Sequence, residues 1–321
     1  MARAMRTAAL SLRSGTPVAI LILLAVPALL GLRSADESAE YVRFVSAGKD
    51  AGRLETAIVD FEGPGGAKVH LVAAIHIADK AYYDELSRTF ELYDALLYEL
   101  VKPSGDGPAG ASQSMSFLSM FQRWMKDTLG LQFQLDAIDY TRPNFIHADM
   151  DLETFEKLQK ERGEGFLALL WRAVQADLKR QARGDPSRDV DPMELIKALF
   201  ARDRSRSLKL LMGRQLQDIE EQVAGLEGEK GSVILTERNK VAFQVLRKTL
   251  AAGKKDIGIF YGGAHMPDLE RRITKDLGFV RKDVRWLSAW DMPPVGGWPK
   301  PPEPVPDGKR KDPERKPARR F

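Results

Sequence analysis

Two of the four histidines in this chain stand in matching surroundings. His76 ends Ala73-Ala74-Ile75-His76, after the apolar run Lys68 to Ile75; His265 ends Gly262-Gly263-Ala264-His265, after Ile257-Gly258-Ile259-Phe260. Each reads as a strand, a corner of small residues, a histidine and then an acid-led helix. A third apolar run, Ala95-Leu96-Leu97-Tyr98, stops at Glu99. Side chains at the carboxyl ends of parallel strands are aimed by loops into one crevice, so His76, Glu99 and His265 are expected to meet. Two imidazoles and a carboxylate are suitable donors for a divalent ion, with positions left for water and substrate. Gly262 and Gly263 permit close backbone approach to a ligand, whereas Ala73 and Ala74 permit it only within the room a methyl leaves.

Other chemistries lack their residues. There is no cysteine, hence no disulfide framework and no thiolate nucleophile. His-Glu-x-x-His, its inversion and Gly-x-Ser-x-Gly are all absent. His147 and Asp149, in "RPNFIHADMD", could complete the shell or orient a ligand, or be an ordinary loop pair. His70 alternates inside a strand without a matching partner and is not assigned to the site.

The elements that must position these residues follow from periodicity. Glu55 to Phe61 and Lys68 to Ile75, separated by Gly63-Pro64-Gly65-Gly66, predict a hairpin. Asp79 is placed to cap a helix carrying Tyr82, Leu86, Phe90 and Tyr93, and the strand ending at Glu99 then completes a crossover unit with parallel strands. Residues 104 to 231 read as a helical insertion, with stripes at Leu167, Leu170, Trp171 and Val174 and at Leu195, Ile196, Leu199 and Phe200. Asn144 to His147 is a short strand inside it. Afterwards come a helix over Leu235 to Leu250, a strand over Asp256 to Tyr261, a helix from Asp268 stopping at Gly278, and a last strand, Val284 to Trp290. The expected fold is α/β (α+β), a mixed, mostly parallel sheet flanked by helices, spanning 35 to 292.

Charge is concentrated at the ends. Residues 1 to 34 carry Arg3, Arg6, Arg13 and Arg33 with no acid, around the uncharged run Pro17 to Leu32, which predicts an export signal or an uncleaved membrane anchor. Nine of the 18 prolines fall from Pro293 onward, so 293 to 321 is expected to be a disordered, Pro-rich basic tail, a second route to a membrane surface. Residues 35 to 308 are left with a net charge of −5, which removes the support that a pI near 9.1 would lend to nucleic-acid binding.

Ala73 to His76, "DALLYELVKP" with Glu99, Glu237-Arg238-Asn239 before one helix and Gly262 to His265 before another resemble the TraB/GumN family, related to the pheromone-shutdown protein PrgY and the Tiki metalloproteases and sharing an erythromycin-esterase and ChaN-like fold. The resemblance covers about 53 to 103 and 232 to 290, and departs from the family in having Ala73 for glycine. It implies a metal-dependent hydrolase in the cell envelope, with peptides or small molecules as substrates. His76, Glu99 and His265 would surround manganese, cobalt or zinc, with Glu99 as ligand or base. Arg238 would be an electrophilic partner or a salt bridge to Glu99, and Asn239 a secondary site residue. The same fold also implies an alternative, a haem- or peptide-binding protein without catalysis. A third reading is an exported interaction domain whose histidines only pack.

Overall fold

A computed structural model describes residues 40–103, 127–164, 192–216, 231–294 and 296–298. Strands β1 (Val42–Ser46), β2 (Gly52–Glu62), β3 (Lys68–Ala74), β5 (Ala95–Tyr98), β7 (Phe145–His147), β8 (Asp256–Gly262) and β9 (Val280–Met292) form one mixed sheet; β4 (Ile77–Ala78) and β6 (Gln132–Phe133) form a small antiparallel clip beside it. The long β2 pairs antiparallel with β9 along one edge and with β1 and then β3 along the other. Beyond β3 the sheet is parallel: β3, β8, β5, β7.

Helices cover both faces because β3 is apolar on both. Val69, Leu71 and Ala73 point into a layer with Ala242 and Leu246 of α6 (Arg238–Ala251) and Met266, Leu269 and Ile273 of α7 (Met266–Leu277). Val72 and Ala74 point the other way, against Tyr82, Tyr83, Leu86 and Phe90 of α1 (Lys80–Phe90). The intervening helices are α2 (Gln134–Ala137), α3 (Leu152–Arg162), α4 (Pro192–Leu199) and α5 (Arg204–Leu216). The result is the α/β sandwich expected, with Pro267 in the first turn of α7 and Gly278 closing it in the left-handed conformation, φ 69°.

Three details differ from expectation. The strands of the predicted crossover, β3 and β5, are not neighbours, since β8 inserts between them and pairs with both. Asp79 stands before α1 but does not cap it: its carboxylate accepts from Lys209 Nζ of α5 at 2.6 Å and from the Asp291 N–H of β9 at 2.7 Å, tying three elements together. The last strand is longer than its apolar centre, because β2 offers a full edge for it to pair with, and β1 carried too weak an alternation to be read. The Leu167 to Val174 stripe, the N-terminal apolar run and residues 299 to 321 lie outside the described residues. Among the described residues no helix is long and apolar enough to cross a membrane.

Candidate active site

The parallel strands end together, and so do the residues that follow them. Glu99, just past β5, donates its backbone N–H to Phe260 O and accepts the Gly262 N–H on Oε2 at 2.7 Å. A β-carbon added at Gly262 would stand 3.4 Å from Glu99 Oε2, 3.7 Å from His76 Nε2 and 3.8 Å from His265 Cδ2. The two motif histidines and the glutamate therefore surround one small space, whose floor is the bare Cα of Gly262. Its φ of −54° needs no glycine, so what the glycine supplies is room. The Ala73 methyl is buried in the apolar layer beside Leu97 and Tyr261.

Both imidazoles are held the same way, although their holders are unrelated. His265 Nδ1 meets Asn239 Oδ1 at 2.7 Å, and Asn239 spends its amide N–H groups on His265 O and Asp268 Oδ2. His76 Nδ1 meets Gln134 Oε1 at 3.0 Å, and Gln134 Nε2 reaches Tyr140 Oη at 2.8 Å. An amide oxygen only accepts, so each ring donates through Nδ1 and turns its Nε2 edge toward the shared space, His265 Nε2 lying 3.6 Å from Glu99 Oε1. Gln134 arrives through the clip: β6 pairs with β4, and the Gln134 N–H bonds to His76 O. Sequence reading missed Gln134, since nothing in "GLQFQLDA" marks a partner 58 residues from its histidine.

Arg238 lies beneath the cluster, 6% exposed, and the Nε and Nη2 side of its guanidinium is committed to carboxylates. Nε and Nη2 bind the two oxygens of Asp149 at 2.9 and 2.6 Å, and Nη2 also binds Glu99 Oε1 at 2.6 Å. Of the two sequence readings of Arg238, the salt bridge is the one these contacts form; Nη1, whose one contact is Ile234 O at 3.5 Å, keeps N–H capacity beyond it. Asp149 belongs to the site as the residue that aims Arg238. His147 does not join it: its Nε2 donates to Leu100 O at 2.6 Å and its ring packs edge-on against Tyr98. Gly263 lies buried in the turn that carries His265.

Electrostatics follow from burial and these contacts. Burial alone would raise the Glu99 carboxyl, but Arg238, with His265, His76 and the Gly262 N–H, outweighs it and holds Glu99 well below the usual carboxylate range. Burial pulls His265 down to about 4 against the attraction of Glu99. At neutral pH the cluster thus contains an ionised Glu99 and a neutral His265. Tyr140, behind Gln134, is pushed up to about 12 by burial, with Glu99 adding to the rise.

The donors suit a divalent ion in kind: two imidazole Nε2 atoms with amide acceptors behind the rings, plus a carboxylate. Their placement is looser than a metal site requires: among the described residues no three His, Asp or Glu side chains are arranged so that they could hold a metal ion. Glu99 already holds Arg238 and a backbone N–H, so it could share an ion only through its remaining lone pairs. His76 is half-buried while His265 and Glu99 are almost sealed, so ligands approach from the His76 side. The cleft of about 430 Å³ lined by Asp203, Arg206, Lys209 and Asp291 lies elsewhere and contains none of these residues.

His70, left out of the site above, lies near the opposite ends of the same strands. Its two ring nitrogens meet Asp60 of β2 at 2.7 Å and Asp256 of β8 at 3.0 Å, and its ring stacks on Tyr93. No protein-family model matches the chain, and no curated protein matches it either.

Proposed function

We propose that this chain is an exported, metal-dependent hydrolase of the TraB/GumN type acting on peptides, with His76, Glu99 and His265 as the ion's protein ligands. The observation that carries the reading is the convergence of His76 Nε2, Glu99 Oε2 and the His265 ring within 3.4 to 3.8 Å of one point above Gly262. Bound there, manganese, cobalt or zinc would supply Lewis acidity and lower the pKa of a water molecule.

The chain's own residues define the rest. Asn239 and Gln134 fix Nδ1 as the donating nitrogen of each ring, so neither ring must rotate to present Nε2. Arg238 keeps Glu99 ionised and still. Asp149 in turn holds Arg238, leaving that cation no freedom to swing toward an incoming ion. Glu99 consequently acts as ligand and counter-charge rather than as a titrating base. The Gly262 floor lets a scissile group come close to the cluster.

The test is metal analysis of protein purified without chelators, together with turnover of a mixed fluorogenic peptide set. Wild type should retain metal and cleave, and His76→Ala and His265→Ala should each lose both; unchanged cleavage by a metal-stripped sample would overturn the reading. One observation favours a second reading, ligand binding without reaction: each Glu99 oxygen already accepts a hydrogen bond from a protein donor, which weakens it as a metal ligand. In that case His76 would ligate haem or contact a peptide, and a Soret band on haem addition, lost in His76→Ala, would distinguish it.

A further inference from the structure

We propose that the exposed face of α4, together with the basic residues around it, docks on an anionic lipid bilayer. Leu195, Ile196, Leu199 and Phe200 are 41, 47, 41 and 86% exposed. At 100° per residue they share one side of the helix, while Ala198, 7% exposed, faces inward. Four large apolar side chains on one exposed helix face form a contiguous patch of the kind that marks an interaction surface.

The surrounding charge identifies the occupant. Lys197, Arg202 and Arg204 are exposed beside the patch together with the acids Glu194 and Asp203, a local net charge of +1 on a domain whose net charge over 35 to 308 is −5. Apolar side chains in a surround of slight positive charge suit an interfacial helix on acidic headgroups, and the rest of the domain, being acidic, would be held off the surface.

The platform beneath α4 is firmly fixed to the fold. Along α5, Arg206 binds Asp50 O, Lys209 binds Asp79, Arg214 binds Lys49 O at 2.8 Å, and Gly213 packs on Phe44 of β1. The strand β1 starts shortly after the N-terminal apolar run, and the eight residue-to-residue steps from Leu32 to Glu40 span at most about 29 Å. If that run is embedded in a bilayer, the domain is held within reach of the same surface. Asp79, three residues after His76, would bring the candidate site toward it as well.

Because the chain has no cysteine, Phe200→Cys can carry a single environment-sensitive NBD label in the full-length protein, with Leu92→Cys, 79% exposed at the far end of α1, as the control. With phosphatidylcholine vesicles containing phosphatidylglycerol, the label at 200 should shift blue and brighten about two-fold or more, while that at 92 stays unchanged. Pure phosphatidylcholine should give a much smaller response, and adding Arg202→Glu and Arg204→Glu should abolish it. An equal response at both positions or with neutral lipid would overturn the proposal, as would retention of the response in the charge-reversed variant. So would a label already blue-shifted without lipid, meaning that residues 167 to 174 or a second copy cover the face.

Discussion

Gly262 is where the smallest change should have the largest chemical effect. Its added methyl would meet Glu99, His76 and His265 at ordinary van der Waals distances, so Gly262→Ala should fold with little change in Tm. The methyl would nevertheless occupy the space the three side chains share, and metal retention and turnover should fall about ten-fold or more. Asn239→Leu makes the complementary test, removing the acceptor that fixes His265 without touching an Nε2 atom; metal affinity should drop roughly 10- to 100-fold, measured by titration with a chelator competitor. Burial of His265 also sets a pH dependence. Its folded value of about 4 lies below the ordinary 6.5, so the fold favours the neutral ring. The corresponding stability is fully present above pH 6.5 and is lost as pH falls from 6.5 toward 4. Thermal melts of metal-free protein should show that loss in wild type and a flatter profile over the same window in His265→Gln.

At the scale of elements, the charge cluster is a clasp. Asp149 follows β7, Glu99 follows β5 and Arg238 opens α6, so one guanidinium joins two strand ends to a helix 139 residues beyond Glu99. Asp149→Ala would leave Arg238 with an incomplete set of counter-charges in a buried place and should cost about 3–5 kcal/mol. The double variant with Arg238→Met should lose less than the sum of the two singles, which chemical denaturation can measure. Much of this architecture was legible in sequence. Period-two and period-3.6 patterns marked β2, β3, β5, β8, α1 and α7, and the repeated strand-corner-histidine context marked His76, Glu99 and His265. What could not be read depends on contacts between distant segments. Gln134 reaches His76 only because β6 pairs with β4, Asp79 serves α5 and β9 instead of its own helix, and His147 turns from the site because Leu100 O is nearer. Composition alone contains no trace of such pairings.

Over the whole molecule, the sheet is assembled from opposite ends of the chain. Ligand linkage should be visible at this scale: if the proposed ion binds only the folded form, metal at about 100 times its Kd should raise unfolding free energy by roughly 2.7 kcal/mol, and His76→Ala should erase that gain. The strand β8 separates β3 from β5, and β9 borders β2 along its length, so neither edge of the early hairpin is satisfied by residues near it in sequence. A chain cut after Leu277 would expose the outer rim of β2 and should fail to give a cooperative melt. For a polypeptide threaded through a translocon, amino end first, this order has a temporal consequence. The first two hundred and fifty residues would emerge without the strand that carries His265 and without the one that seals the far edge, so a partly secreted chain contains no assembled centre. On the proposed function, hydrolytic power would be withheld until almost the entire polypeptide had crossed, and the translocation machinery and the nascent chain would be spared.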